Sequence, residues 1–264
     1  MEEVEIMTKY ETIATAVSII AVILSVLIPL VQWIWRKWIM RSKVSFYPTG
    51  QATLFFNQSG SYIRLNAVIE SERKATTIKK LKVVLTRERD ELKRNLVWTC
   101  LISPVNQNLL GNFVQTTEAA HPFRVEADSV ACAFAEYCNP SDTAGIKSQK
   151  VCSGLIPFIQ HMIIENTTYE KTLSVLLKSD EYRDAKNELF SDFFWEIGKY
   201  RTDVTVEYGK RNKKTFSYEF SVSELEYSEL KKNIDEALIV HLKKCYNIPM
   251  DFKTPVVEVR ERQE

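Results

Sequence analysis

GSYIRLNAVIE (residues 60–70) and TIKKLKVVLTR (residues 77–87) are the two stretches that decide the fold class. In the first stretch apolar residues occupy every second position, namely Ile63, Leu65, Ala67 and Ile69. In the second the apolar positions are Leu81, Val83 and Leu85. Because side chains of a strand alternate between its two faces, each stretch is predicted to be a half-buried β-strand.

Further strand patterns follow on either side of these two stretches. Residues 57–61 read as a hairpin turn, and strands are predicted at residues 96–102, 123–127 and 129–137. The clearest hairpin comes late in the chain, where Val204, Val206 and Tyr208 are predicted to face Phe216, Tyr218 and Phe220 across a turn at 209–212. Successive strands without intervening helices favour an antiparallel β-sandwich over a parallel βαβ sheet.

Two helical patterns interrupt or follow the strands. Leucines at near-helical spacing between Thr168 and Phe190 predict an inserted helix or helix pair. Ser223 and Glu226 form a capping-box pattern, which predicts a C-terminal amphipathic helix that ends before Pro249. The predicted fold is therefore mainly β with α: one transmembrane helix, a sandwich with an inserted helix, and a C-terminal helix.

Composition excludes several classes of protein. The chain has 264 residues, 45% of them hydrophobic, with 35 Lys+Arg against 34 Asp+Glu and a net charge of +1. Such a chain can bury a real core, which argues against wholesale disorder and against a polytopic transporter. The near-zero net charge argues against a dedicated nucleic-acid binder.

Residues 12–35 carry no charged side chain and predict a transmembrane helix. At 1.5 Å per residue the helix is about 36 Å long, enough to cross a bilayer core of about 30 Å with some tilt. A cleaved signal peptide is the alternative, but the start is acidic and the apolar run ends in tryptophans. Basic residues follow the helix and acidic ones precede it, so the positive-inside rule predicts that the N-terminus lies outside and the main domain in the cytoplasm. The membrane that holds the helix is then predicted to be the inner (plasma) membrane.

The predicted organisation has five parts. They are a short extracytoplasmic N-terminus (1–11), the transmembrane helix (12–35), a basic juxtamembrane linker (36–43), the cytosolic β-sandwich domain with helices (44–246) and a tail (247–264). The residues predicted to lie at the membrane interface are Tyr10, Trp33, Trp35, Arg36, Lys37, Trp38, Arg41 and Lys43.

A polar and small-residue stripe runs along the transmembrane helix. Its members are Ala14, Ser18, Ala21, Ser25 and Gln32. Steps of three, four and seven residues place them on one face, and small residues four apart permit close helix packing in lipid, so the stripe predicts a homo-oligomer or a pore lining. The alternative is that the serines bond to their own helix and Gln32 snorkels to the headgroups. Pro29 is predicted to bend the helix and is a candidate hinge.

Catalytic signatures are lacking in the sequence. The histidines at 121, 161 and 241 form no zincin pattern, and Cys132, Cys138 and Cys152 with His161 depart from ordinary zinc spacing. No glycine pair makes a dinucleotide or phosphate loop. We therefore predict a protein that is not an enzyme and that has no metal site, no cofactor and no small-molecule substrate.

Two clusters of basic residues are candidates for binding an anionic ligand. The residues are Lys79, Lys80, Lys82, Arg87, Arg89, Lys210, Arg211, Lys213 and Lys214. Such clusters suit lipid headgroups, a nucleotide or an oligonucleotide. The alternative is a solvated sheet edge that lysines protect against aggregation.

The order of these elements resembles a group of bacterial membrane-anchored proteins in which one or two N-terminal helices precede a cytosolic β-sandwich. The resemblance rests on the helix with its basic flank, on the stretches GSYIRLNAVIE and TIKKLKVVLTR, and on EIGKY…VTVEY…FSYEFSVSELEYSELKKNID near the end. Some members serve as effectors or accessory factors in antiviral defence, so the resemblance implies such a role. It carries over no site residue.

Three hypotheses about function follow. The first is a homo-oligomeric membrane effector whose cytosolic domain senses a ligand or partner and whose helices form a pore or perturb the bilayer, as in antiviral defence. The second is a non-catalytic, membrane-tethered interaction module or accessory subunit that recruits a partner. The third is a membrane-bound enzyme, for which the sequence nominates no residue. Expected partners are the lipid bilayer, further copies of the chain, and a cytosolic protein or a nucleotide or oligonucleotide ligand.

Overall fold

A computed structural model describes residues 2–35, 42–109, 112–139, 143–165 and 168–262, without the side chains of residues 2–13, 104–115 and 143. It begins with one long helix, α1 (Glu2–Ile34), which continues through Pro29. The segment Ala14–Ile34 is long and apolar enough to span a membrane. The rest of the described chain is mainly β, as the sequence predicts.

The strands form one antiparallel sheet. They are β1 (Lys43–Asn57), β2 (Gly60–Glu72), β3 (Thr76–Arg87), β4 (Leu92–Leu109), β5 (Asn112–Ala119), β6 (Phe123–Val125), β7 (Ser129–Cys132), β8 (Ala135–Cys138), β9 (Gly198–Tyr208), β10 (Asn212–Val222), β11 (Val256–Glu258) and β12 (Arg260–Glu261). The order is β11-β1-β2-β8-β4-β3-β9-β10-β12, with β5 beside β4, β6 beside β3 and β7 beside β2. The sheet curls into a nearly closed barrel instead of the two packed layers expected of a sandwich.

The C-terminal strands join the two sides of this barrel. Residues of β11 pair with β1, and residues of β12 pair with β10. Between them the N–H of Val259 donates to the carbonyl of Gly50 at 2.9 Å. A short segment near the end of the chain therefore fills the gap between β1 and β10, and the region predicted as a tail contributes strands to the domain.

The strands predicted from alternation are present, and the structure supplies the neighbours that the pattern left open. Residues of β2 alternate between buried and half-buried, and most of β3 alternates between buried and half-buried or exposed, as the pattern indicates. They do not pair with each other, since β8 and β4 lie between them in the sheet. The β9–β10 hairpin has Val204 opposite Phe216, and Tyr218 opposite Thr202.

Within the described residues, five helices accompany the sheet: α2 (Thr143–Gly154), α3 (Ile156–Glu165), α4 (Tyr169–Leu176), α5 (Asp180–Ser191) and α6 (Glu224–Cys245). The helical pattern between residues 168 and 190 corresponds to α4 and α5. Helix α6 starts after Ser223, whose N–H donates to the Glu226 carboxylate at 2.6 Å. The side chain of Gln58, in the β1–β2 turn, donates to the carbonyl of Ala237 in α6 at 3.3 Å.

These helices gather at one end of the barrel, which we call the helical end. The β1–β2 turn lies there beside α2, where a Cβ added to Gly145 would lie 3.1 Å from the carbonyl oxygen of Ser59, a close contact that favours glycine. Gly60 has φ +90°, a conformation that disfavours other residues. Arg94, near the start of β4, donates to the carbonyl of Asp192 just after α5 at 2.9 Å.

The opposite end, which we call the entry rim, is where β1 begins. It consists of Lys43, the β2–β3 turn (72–75), the β6–β7 turn (126–128) and the β9–β10 turn (209–211). Hydrogen bonds join these segments. The N–H of Asp128 donates to the carbonyl of Ser71 at 2.8 Å, and the N–H of Gly209 donates to the carbonyl of Thr77 at 2.9 Å. The Lys214 ammonium donates to the carbonyl of Val44 at 3.0 Å. The chain therefore passes from α1 into the barrel at this rim.

The core is one continuous cluster that joins strands and helices. Trp195 is fully buried, and its indole N–H donates to the carbonyl of Phe55 at 2.8 Å. Around it Tyr200 stacks on Phe220, with ring centroids 5.1 Å apart. Aromatic packing of this kind ties the segment before β9 to the end of β1, so the helical end is part of the same folded unit as the barrel.

Candidate functional site

Helix α1 presents a largely exposed apolar surface. In the apolar window of the helix none of the described residues is buried, and Trp33 and Trp35 are 55% and 53% exposed. Leaving so many large apolar side chains in water is unfavourable, which is the physical reason why such a helix enters a bilayer. Of the predicted interface residues, Arg36, Lys37, Trp38 and Arg41 lie outside the described residues, as does the side chain of Tyr10.

The serines of the predicted stripe bond to their own helix. Ser18 Oγ donates to the carbonyl of Ala14 at 2.8 Å, and Ser25 Oγ donates to that of Val22 at 2.7 Å. In this arrangement the hydroxyls are satisfied without a neighbouring helix. The face keeps its small residues, and small residues are what close packing between helices in lipid requires.

The basic residues selected from the sequence divide between the two ends of the barrel. Those from 79 to 82 and from 210 to 214 come together at or next to the entry rim, although they lie far apart in the chain. Antiparallel pairing of β3 with β9 produces this meeting, because it places Lys80 opposite Glu207 and Ile78 opposite Tyr208. Lys79 Nζ reaches the carbonyl of Lys210 at 3.4 Å.

Glu207 neutralises part of this cluster. Its carboxylate lies 2.7 Å from the Lys82 ammonium and 3.3 Å from that of Lys213. The hydrogen bond from Lys82, followed by that from Lys213, lowers the pKa of Glu207, with partial desolvation acting in the opposite direction. Lys82 and Lys213 therefore belong to an ion-pair network with Glu207 on the surface of the sheet.

Lys214 has a structural role. It is half-buried, its ammonium donates to the carbonyl of Val44, and it lies 4.7 Å from the centroid of the Phe216 ring. It thus bridges β10 and β1 where the sheet has no backbone ladder between them.

The remaining rim cations are less engaged. Among the residues that the structure describes, Lys74, Lys79, Lys210 and Arg211 form no ion pair, and all four are exposed. Lys80 is half-buried and has no ion pair within the same described part of the chain. The edge-protection alternative does not apply to β3, because β3 pairs on one side with β4 and β6 and on the other with β9.

The carboxylates of the entry rim are all engaged locally. Glu72 binds Lys43 at 2.8 Å, and this hydrogen bond raises the pKa of Lys43. Asp128 accepts from the N–H of Arg73 at 2.8 Å, which holds Arg73 at φ +70° in the β2–β3 turn. Glu126 pairs with Arg124 at 2.8 Å. The turns therefore present an excess of cationic side chains to the outside.

Arg87 and Arg89 lie at the helical end, away from the other basic residues. Arg87 is 8% exposed and contacts Asp90 at 2.5 Å, Glu196 at 3.0 Å and the carbonyl of Phe194 at 3.0 Å. The hydrogen bond from Arg87 lowers the pKa of Asp90 to about 2. A cavity of about 390 Å³ lies here, with Arg94 and Trp195 also in its wall. Its wall holds two arginines, Arg87 and Arg94, and two carboxylates, Asp192 and Glu196, so the charge of the cavity is balanced and does not favour an anion.

The cysteines give no sign of an activated thiol or of a metal site. Burial is the main reason why the pKa of the Cys100 and Cys152 thiols rises to about 11. Cys245 Sγ lies 3.7 Å from His241 Nε2 on the exposed part of α6. No group of three or more His, Cys, Asp or Glu residues that suits a metal ion occurs among the described residues.

Sequence reasoning identified the lysines of β3 and those of the β9–β10 turn as two clusters, but it did not join the two clusters to each other or to Lys43. The pairing of β3 with β9 and the position of β1 beside β10 bring these residues together, and both are contacts between distant parts of the chain. One feature of the sequence does point to this rim: the basic linker leads directly into the first strand, so the start of that strand marks the end of the domain nearest to the helix in the chain.

No family model, curated protein or solved structure matches this chain.

Proposed function

We propose that this protein is a non-catalytic, membrane-tethered binding module: α1 anchors it in the inner membrane, and the cytoplasmic barrel domain binds a partner or ligand at the membrane surface. The observation that carries the proposal is the exposed apolar helix that precedes the domain in the chain. From Ile34 to Lys43 the backbone spans at most about 30 Å even when extended. The domain is therefore confined to the surface of the bilayer that holds α1.

The tether itself contributes to binding. A partner that also resides at the membrane meets the domain at a raised effective concentration, which increases apparent affinity without any new contact. The basic residues after the helix and the acidic residues before it support the cytoplasmic orientation.

A second candidate is the oligomeric effector whose helices form a pore or perturb the membrane, in antiviral defence. The stripe of small residues on α1 favours it. With the Ser18 and Ser25 hydroxyls satisfied within their own helix, this face can meet another helix without an unpartnered polar group in lipid. Here the barrel domain senses a ligand and α1 assembles.

One pair of matched variants distinguishes the two candidates. Ala21→Leu places a large side chain in the stripe, whereas Ala16→Leu places the same side chain on the opposite face of α1. If α1 forms an oligomeric pore, the full-length protein in detergent should have the mass of a defined oligomer. Ala21→Leu should reduce this mass and abolish the conductance of reconstituted vesicles, whereas Ala16→Leu should leave both unchanged.

A tethered module predicts a different result. The two alanine variants then behave alike, and an unrelated apolar helix in place of residues 12–35 preserves binding of the cytosolic partner that co-purifies with the full chain. Loss of that partner on helix exchange, with insertion retained, would contradict simple tethering.

A further inference from the structure

We propose that the entry rim is a docking surface for anionic phospholipid headgroups, which hold the barrel against the leaflet with this rim toward the bilayer. The inference rests on the proposed membrane anchoring and adds to it a specific lipid-binding face. It assigns a role to Lys74, Lys79, Lys210 and Arg211, which the ion-pair network of the domain leaves unused.

The first argument is position. The entry rim contains Lys43, the first residue of β1, and the chain before Lys43 comes from α1. The turns at 72–75 and 209–211 are linked to the first residues of β1 by the pairing of Lys43 with Glu72 and by the bond from Lys214 to Val44. A short linker therefore keeps these turns near the headgroups, while the helical end lies on the far side of the domain.

The second argument is charge. Each carboxylate of the rim is held by a partner within the domain, whereas four exposed cations project from three different elements: the β2–β3 turn, β3 and the β9–β10 turn. Charges spread around the end of a barrel match a planar array of headgroups. The anionic surface of a cytoplasmic leaflet attracts such residues within about one Debye length, roughly 8–10 Å.

The third argument is shape and residue type. Lys74, Lys210 and Arg211 stand on exposed turns and Lys79 is an exposed residue of β3, so these cations do not lie inside a cleft with walls that would enclose a nucleotide. Three of the four are lysines, whose ammonium acts as a mobile point charge and suits diffuse headgroups better than planar, bidentate recognition. A bilayer surface is therefore favoured over a small soluble anion, and nucleic acid becomes an outcome that the experiment tests.

The experiment measures acetylation of individual lysines in the full-length protein, reconstituted in nanodiscs of phosphatidylcholine alone or with phosphatidylglycerol. We expect acetylation of Lys74, Lys79 and Lys210 to slow by about fivefold or more in the anionic discs. A factor of this size corresponds to the attraction between one basic residue and an anionic membrane surface. Lys150, Lys171 and Lys178 on the helical side serve as internal controls and should react equally in both discs. About 0.5 M salt should abolish the difference because it screens the attraction.

Charge reversal supplies the second arm. A triple variant, Lys74→Glu with Lys210→Glu and Arg211→Glu, should remove the lipid dependence at Lys79. The matched triple variant Lys150→Glu with Lys171→Glu and Lys178→Glu should keep it. All six positions are exposed, so both variants are expected to fold.

Equal acetylation in the two kinds of disc, with α1 inserted in both, would overturn the docking proposal and leave the membrane anchoring intact. Failure of α1 to insert would instead contradict the proposed function. If inorganic phosphate or a short oligonucleotide, added to neutral discs, protects the rim lysines as strongly as anionic lipid does, the rim binds a soluble anion and the lipid proposal is wrong.

Discussion

The hydroxyl of Tyr218 in β10 donates to the main-chain carbonyl of Phe46 in β1 at 2.6 Å. The bond joins two strands whose backbone ladders belong to other neighbours, because β1 pairs with β2 and β11 while β10 pairs with β9 and β12. The Phe46 ring also lies near that of Tyr218, with centroids 6.1 Å apart. Side chains thus complete the barrel on the side of the entry rim, and the C-terminal strands complete it toward the helical end.

Removing the Tyr218 hydroxyl should weaken this junction. Tyr218→Phe keeps the ring packing and leaves the Phe46 carbonyl without its donor, so we expect a loss of about 1 kcal/mol of unfolding free energy. Tyr47→Phe is the control, because Tyr47 is 53% exposed and donates to Glu70 at the surface. Thermal unfolding of the full-length protein in detergent measures both; equal effects of the two variants would contradict the assigned role of Tyr218.

The closing strand offers a comparison of adjacent residues. Val257 is 4% exposed and lies in the core, whereas Val256 is 52% exposed. Val257→Asp should place a carboxylate in an apolar site and cost more than about 3 kcal/mol, while Val256→Asp should cost less than about 1 kcal/mol. Denaturant unfolding followed by circular dichroism tests this. Similar stability of the two variants would show that packing of β11 into the core is dispensable.

A buried ion pair holds the segment that leads to this strand. Lys243 Nζ lies 2.8 Å from both carboxylate oxygens of Glu236, and Glu236 also accepts from the N–H of Asp251 at 2.7 Å. Lys243→Met leaves a buried carboxylate without its cation and should cost about 3–5 kcal/mol. Lys244→Met changes the exposed neighbouring lysine and should be near neutral. Limited proteolysis after residue 246 should be faster than in the wild type only for Lys243→Met. If residues 247–264 resist cleavage equally in both variants, the ion pair does not hold this segment.

Asp90 should make stability depend on acid pH. Its pKa is lowered to about 2 by the hydrogen bond from Arg87, below its value of about 3.9 in an unfolded chain. Its stabilising contribution is therefore fully present above about pH 4 and is lost as the pH falls through about 2.

The measurement compares unfolding of the wild type and Asp90→Asn from pH 6 to pH 2. The stability difference should shrink over that acid window, and it should be much smaller in an Arg87→Gln background, where the Leu92 N–H still donates to the Asp90 carboxylate. A difference that stays constant down to pH 2 would mean that Asp90 does not interact with Arg87 in solution.

The sequence predicted local features well and long-range arrangement less well. Alternation at Ile63, Leu65, Leu81 and Val83 identifies strands because burial on one face imposes a period of two. The same alternation does not specify neighbours, so the insertion of β8 and β4 between β2 and β3 was not predicted. The barrel likewise depends on a strand near the end of the chain that is too short to stand out in the sequence.

The candidate site shows the same division. Lysines at 79, 80, 210 and 213 stand out by composition alone, but only the pairing of β3 with β9 brings them together. Arg87 resembles them in sequence and differs in role, since the carboxylate of Glu196 and the carbonyl of Phe194 reach it from a segment more than a hundred residues away.

The central claim is that α1 holds the barrel at the bilayer with the entry rim nearest to the lipid. Energy transfer to an acceptor-labelled lipid in nanodiscs that contain phosphatidylglycerol tests it, with a fluorescent amino acid at position 210 in one sample and at position 178 in another. We predict clearly stronger transfer from position 210 than from position 178. Equal transfer from both positions, or stronger transfer from position 178, would contradict this orientation.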